Sequence, residues 1–456
     1  MALTTEARGS THTARSRGRV SEVFELAYPV VLTQISTTSL GVVDSAMVGR
    51  LGATELGAVG FGGIWLWTFF SLFYGTASGV QTFVSQADGA GRTRECGAWA
   101  WQGFYAVVPA TLLCAGAIAL WIAPLIALLG PSAELQANAV AYIRPRLAGE
   151  TGLAVVMVLT AFFRGFGDTR TPLYATLVAN VVNATLDYGL IFGRLGLPEL
   201  GVAGAGVATA VGQWFAAGVL CVCFRRRALR ERFATRAVPP DRHEIRRFLR
   251  TGTPIGGQWF LGMTSFAMFT TLVARMGDSQ MAASQAFVVL LSLSFMQAVG
   301  ISAGATTLVG RYVGARDHAA AVRSFRSALV LGALLGCGIA LLFLAVPVPL
   351  LRVFTDDPAV VGLGVPLLAI GALFQLFDAF GIISEGALRG AGDTRWPFLV
   401  HSALGWGFFV PLAYLLGFVL EGGLTGAWAG GMLYVIVLSS LLVWRFHSGA
   451  WRQVRI

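Results

Sequence analysis

Carboxylic acids interrupt long apolar stretches of this sequence at Asp44, Glu150, Asp187, Asp378 and Glu385. A carboxylate in such surroundings is costly unless it is paired, solvated or protonated, so each acid needs an account. Glu150 follows Arg146 by four residues and Glu385 precedes Arg389 by four. On a helix, each pair reads as an intrahelical salt bridge. Asp44, Asp187 and Asp378 have no basic residue one turn away, whereas Asn183 lies one turn from Asp187 on the same face. Two acids facing one cavity disfavour each other's ionisation, which would permit proton exchange near neutral pH. Asp44, Asp187 and Asn183 are therefore read as a proton-coupling set, while Asp378 fits either a structural or a functional role. Gln34 and Asn180, polar residues on the same two stretches as Asp44 and Asp187, are candidate cavity residues.

Other chemistries find little support. Cys221 and Cys223 are two apart on a helical stretch and point to different faces, and the five cysteines show no zinc spacing. The five histidines form no cluster in sequence, and HExxH, GxSxG and Walker-type GxxxxGK patterns are missing. No metal, cofactor or enzymatic activity is expected. Without a nucleotide-binding loop, uphill transport would have to draw on an ion gradient.

The elements that position these acids follow from composition. Hydrophobic residues make up 55% of the chain, charged residues 12%, and mean hydropathy is +0.70. Soluble domains carry roughly 25% charged residues. The 57 glycines suit closely packed membrane helices. Twelve apolar stretches are long enough to span a bilayer, near residues 24–48, 56–86, 98–123, 138–163, 171–193, 201–224, 247–274, 281–311, 323–346, 360–387, 397–420 and 424–446. All should be helical, because backbone polar groups in lipid must be satisfied within the segment.

The twelve spans divide into two equal sets. Arg164-Gly165-Phe166-Gly167-Asp168-Thr169-Arg170-Thr171-Pro172 recurs 225 residues later as Arg389-Gly390-Ala391-Gly392-Asp393-Thr394-Arg395-Trp396-Pro397. The same offset pairs Pro29 with Pro254, Arg50 with Arg275, Gly75 with Gly300 and Gly79 with Gly304. An unbroken offset of this length indicates a duplicated six-helix unit, a common plan for transporters. The expected organisation is a disordered tail at 1–20, an N-terminal lobe at 21–224, a basic linker at 225–246, a C-terminal lobe at 247–448 and a tail at 449–456. The acids are not duplicated: Asp44 corresponds to Phe269, Asn183 to Phe408 and Asp187 to Leu412. Ion coupling is thus expected mainly in the N-terminal half.

In the repeated motif, Arg164 and Arg389 suit a helix C-terminus, the glycines a tight turn, and Asp168 and Asp393 a cap on the next helix. These residues are assigned to fixing a helix hairpin. Gly75/Gly79 and Gly300/Gly304 form GxxxG pairs that permit close helix contact. Pro29 and Pro254 fall inside spans, where proline removes a hydrogen bond. Pro29 reads either as a static kink or as a hinge.

The net charge of +10 has a topological explanation. All 33 basic residues are arginines, and with both termini cytoplasmic 27 fall on the cytoplasmic side, as the positive-inside rule requires. Topology, not nucleic-acid binding, accounts for the charge. Arg144 and Arg146 are placed near the outer end of the fourth span, with no basic residue expected at mid-membrane depth. Residues 225–250 carry ten arginines and are read as a linker touching anionic headgroups. The first span continues past the length of a signal-peptide core and is read as retained.

Two six-helix lobes with RGxGDTRxP after the fourth and tenth spans resemble the MATE (multidrug and toxic compound extrusion) family, over about residues 21–448. Asn183-x-x-x-Asp187 is similar to the proton site of the DinF-type prokaryotic branch. The resemblance implies that Asp44 and Asp187 take up protons, that the first helix bends at Pro29, and that Tyr142 and Thr209 line the cavity. NorM-type relatives couple sodium through a glutamate on the seventh helix and an aspartate on the tenth. Asp378 matches the latter, but the seventh-helix position is Gly262. The implied function is a monomeric antiporter of the cytoplasmic membrane that exports small organic cations in exchange for protons. The alternatives are sodium coupling at Asp378 or flipping of a lipid-linked precursor, which would call for basic residues in the cavity.

Overall fold

The structure, a computed structural model, describes residues 18–128, 132–454 and 456. The tail expected to be disordered lies, up to residue 17, outside the described residues. Gly18 is tied down: its N–H donates to Glu22 at 2.8 Å and its carbonyl accepts from the Ser327 hydroxyl at 2.7 Å.

Every regular element among the described residues is helical. The N-terminal lobe comprises α1 (Val20–Val48), α2 (Ala53–Gly89), α3 (Thr93–Leu128), α4 (Ala133–Gly165), α5 (Arg170–Phe192) and α6 (Val202–Phe224). The C-terminal lobe comprises α7 (Arg242–Ala274), α8 (Asp278–Gly314), α9 (His318–Ala345), α10 (Pro358–Ala391), α11 (Arg395–Val419) and α12 (Gly423–His447). Eleven of these are long and apolar enough to cross a membrane. The twelfth, α7, has 33 residues and so a length of about 50 Å. Its run of Gly256, Gly257, Gln258, Thr264 and Ser265 dilutes its apolar character. α11 is interrupted by two wider π-helical turns, Gly405–Phe409 and Leu415–Val419. The all-α, twelve-helix, two-lobe architecture expected from the sequence is the one observed, and the chain is a multi-pass membrane protein.

The repeat is visible in the backbone. Gly167 and Gly392, repeat partners in the hairpin motif, have φ of 96° and 91°. That left-handed region disfavours any residue with a Cβ. The two copies then diverge. Asp168 caps α5 by accepting from the Arg170 and Thr171 amides at 3.1 and 2.9 Å and from the Thr171 hydroxyl at 2.6 Å. Asp393, expected to cap α11, is turned to the Arg445 guanidinium at 2.8 Å instead. Arg445 on α12 offers a charged partner, and a charge-assisted bond outcompetes a neutral backbone donor.

The lobes meet through α1 and α2 on one side and α7 and α8 on the other. The GxxxG pairs lie at these crossings. A methyl group at Gly79 of α2 would come within 3.0 Å of the Gly252 Cα on α7, so only glycine lets the two backbones approach this closely. At the end of the bundle holding both termini the crossing is tied by polar contacts. The Gln81 amide donates at 2.9 Å to both the Ala303 carbonyl and the Thr307 hydroxyl, and Gln86 donates to the Gly390 carbonyl at 2.9 Å. The connection between lobes contains a short helix, Arg227–Phe233, and runs along α3. There Trp101, Gln102 and Tyr105 donate to the carbonyls of Thr235, Pro239 and Val238.

Candidate functional site

α1 and α5 pack side by side in the N-terminal lobe, and each carries its aspartate in the last two turns. Their register places the Asp44 and Asp187 carboxyl groups within hydrogen-bonding reach of one another. Asp187 is 0% exposed and Asn183 2% exposed, so both lie on the inner face of α5, and Asp44 is half-buried beside them. Neither Asp187 oxygen finds an N–H or hydroxyl donor among the described residues. Two carboxyl groups can hydrogen-bond only with a proton between them, and two bare carboxylates at that separation repel. The arrangement therefore suits the uptake and release of a proton.

The other sequence-derived candidates fall at different distances from this pair. Asn183 packs beside it, with its side-chain oxygen unpartnered. Asn180, one turn lower on α5, donates to the Ser36 hydroxyl of α1 at 2.8 Å. Gln34 points the other way, across the lobe boundary, with its amide 3.7 Å from the Met296 sulfur of α8. Thr209 bonds its own helix at the Ala205 carbonyl, 2.9 Å away. Pro29 lies within an uninterrupted α1, and its carbonyl accepts from the Thr33 hydroxyl at 2.7 Å. Arg164 ends α4, and its carbonyl accepts from the Thr307 hydroxyl of the opposite lobe at 2.7 Å.

The placement of Arg146 corrects the sequence reading, which set it near the outer end of its span. It lies well inside α4, thirteen residues past Ala133, with its side chain 18% exposed and turned into the lobe. The guanidinium donates to the Tyr142 hydroxyl at 2.7 Å and reaches Glu150 at 3.4 Å. Glu150, 1% exposed, also accepts from the Tyr74 hydroxyl of α2. Tyr142 is thus occupied with Arg146. Arg146 also acts electrostatically on Asp44 and Asp187. The expected i, i+4 salt bridge exists, and the same cation is near enough for its field to reach the aspartate pair. No property of α4 alone signals this, because it depends on how α4 is rotated against α1 and α5.

In the C-terminal lobe the corresponding ground is apolar. Phe269, the repeat partner of Asp44, is 1% exposed, with its ring centroid 5.1 Å from that of Phe409 and 4.8 Å from that of Trp428. Asp378 lies elsewhere, two turns from Glu385 on α10 and close enough to act on Tyr434 of α12. Glu385 pairs with Arg389, as its spacing suggests. At Gly262 of α7 the space that a side chain would take is filled by His401 of α11. A methyl group there would come within 3.1 Å of the imidazole Cε1. His401, apart from other histidines in sequence, has its ring 6.1 Å from that of Tyr434 and faces Glu385, which puts it in one polar patch with Asp378.

Comparison with known proteins decides the family. The MatE family model matches residues 29–189 and 254–415, one match to each lobe. The chain belongs to the MATE family. This MATE chain is 32% identical over 444 residues to a probable multidrug resistance protein NorM of Thermotoga maritima, covering 95% of this chain and 93% of that protein. It is 32% identical over 419 residues to the multidrug resistance protein MdtK of Proteus mirabilis, covering 90% and 91%. These relatives carry NorM and MdtK names, whereas the local Asn183-x-x-x-Asp187 motif resembles the DinF-type branch. In three dimensions the MATE chain superposes on a crystal structure of MATE in the bent conformation with a TM-score of 0.87 at 19% identity, covering 96% of this chain and 97% of that one. A eukaryotic MATE transporter, AtDTX14, gives a TM-score of 0.82 at 21% identity, covering 95% and 96%. The protein is a membrane transporter and not an enzyme, and the relatives named above are called multidrug resistance proteins.

Proposed function

We propose that this MATE transporter is a proton-coupled antiporter, that it exports lipophilic organic cations, and that its N-terminal lobe carries the coupling site. The single observation that carries this reading is the pair of facing carboxyls, Asp44 and Asp187, with no N–H or hydroxyl donor on the latter. A deprotonated pair attracts an organic cation; a proton returned to it releases that cation. One site cannot favour both ligands together, and this mutual exclusion is the coupling. The lobes alternate access by rocking about the α1–α8 and α2–α7 crossings. The positive-inside asymmetry of the arginines supports placing both termini in the cytoplasm, so protons would enter from the outer face. The transporter works as a monomer in this reading, since each chain carries both lobes and the whole site.

Sodium coupling at Asp378 is the second reading. It is favoured by the Asp378–Glu385 pair on one face of α10 and disfavoured by His401, which occupies the side-chain space at Gly262. A binding experiment separates the two. Addition of tetraphenylphosphonium to the purified transporter in weakly buffered detergent solution should release protons, with Asp187→Asn releasing none. Proton release that is unchanged in Asp187→Asn, or abolished by millimolar sodium in the wild type, would overturn the proton reading.

A further inference from the structure

Arg146 is bound less completely than a buried guanidinium should be. It carries five N–H donors. One nitrogen donates to Tyr142 at 2.7 Å, another reaches Glu150 only at 3.4 Å, and Nε has no partner among the described residues. In the same lobe lie buried acceptors without an N–H or hydroxyl donor, both oxygens of Asp187, one of Asp44 and the side-chain oxygen of Asn183, the two aspartates having only each other. Unpaired donors and unpaired acceptors rarely share one buried cluster, because each costs free energy that a single contact would recover. Glu150, in contrast, has a second partner in Tyr74 and does not depend on Arg146 alone.

We propose that Arg146 is a movable counter-charge for the Asp44–Asp187 pair. With a proton between the aspartates, the pair needs no cation and Arg146 rests on Tyr142 and Glu150. When the proton leaves to water, the guanidinium turns from Glu150 to Asp187, and Tyr74 keeps Glu150 hydrogen-bonded. Arg146 stays charged throughout, so no second proton moves. An incoming organic cation must displace the guanidinium from the carboxylates. The substrate then competes with a tethered cation as well as with a proton, which sets a lower limit on the affinity that a useful cargo must have. Arg146 acts through the aspartates and is a positioning residue. The inference rests on the reading of Asp44 and Asp187 as the proton site.

Besides each other, the group facing the two aspartates is Arg146 of α4; Arg146 in turn faces Tyr142 and Glu150 of its own helix and Tyr74 of α2, and Cys114 of α3 faces Tyr74. Among the described residues Arg146 is the one cation acting on both aspartates. Removing it should therefore make deprotonation harder. Infrared difference titration of the protonated-carboxyl band in detergent reads this directly. Arg146→Gln should raise the titration midpoint by about one pH unit or more, the size expected for losing a nearby opposite charge. Arg146→Lys, which keeps the charge, should stay within about half a unit of wild type. The double variant Arg146→Gln/Glu150→Gln relieves any instability from an orphaned Glu150 and should retain the raised midpoint. A midpoint unchanged in Arg146→Gln, or restored to wild type in the double variant, would mean that Arg146 serves only Glu150 and would overturn the proposal. If Asp187→Asn leaves the titrating band intact, the underlying proton-site reading fails first, and the proposal with it.

Discussion

Arg311 of α8 reaches across the lobe boundary to Asp88 of α2, with Nε 3.2 Å from the carboxylate, and another of its nitrogens donates to the Phe166 carbonyl at 2.7 Å. Asp88 also faces Arg232 at 3.7 Å. One acid thus links the N-terminal lobe, the inter-lobe connection and the C-terminal lobe, at the end of the bundle holding both termini. Together with Gln81 and Gln86 it joins the two lobes at that end.

Asp88→Asn should loosen this junction. The Asp88 side chain is 10% exposed and that of Arg311 30%, between the surface and buried regimes of ion pairing. A loss of about 1 kcal/mol shifts a two-state population roughly fivefold. Spin labels on α2 and α8 at this end should show a wider distance distribution in the variant. An unchanged distribution would remove the pair from the junction.

Pro29→Ala should slow turnover more than Pro254→Ala, although the two prolines are repeat partners. Both substitutions let a helix recover one backbone hydrogen bond, worth on the order of 1 kcal/mol. α1 also carries Asp44, fifteen residues further on, whereas the same position of α7 is the packed Phe269. Protonation can be tied to bending only in α1. Efflux rates at matched expression test this, and equal defects would make Pro29 a static kink.

Gly167→Ala and Gly392→Ala should each lower the melting temperature of the purified protein, because both backbones are left-handed at those positions. The cost is on the order of 1 kcal/mol or more where φ is positive. Fluorescence-detected melting in detergent measures it. Equal stability of either variant with wild type would show that the hairpin turn tolerates a Cβ.

Much of this organisation was legible in the sequence. The 225-residue offset gave two lobes, and the left-handed turns at Gly167 and Gly392 follow from it. Asp44, Asn183 and Asp187 stood out because acids without a local partner are rare in apolar helices. Contacts between helices were not legible. The turn of Asp393 toward Arg445, the approach of His401 to Gly262 and the placing of Arg146 in the lobe that holds two aspartates all depend on helix rotation and crossing. Local spacing carries none of these. It gave Arg146 its partner on α4 and missed its nearness to the acids of α1 and α5.

The central claim is that Asp44 and Asp187 couple efflux to protons. Proteoliposomes loaded with an organic-cation probe and given an imposed proton or sodium gradient test it most directly. A proton gradient alone should drive efflux by the wild type, and a sodium gradient alone should not. Asp44→Asn and Asp187→Asn should each lower proton-driven efflux at least about tenfold, the loss expected when a group essential to coupling is removed, while inserting and melting like wild type. Normal proton-driven efflux by either variant, or efflux sustained by sodium alone and stopped by Asp378→Asn, would contradict the account.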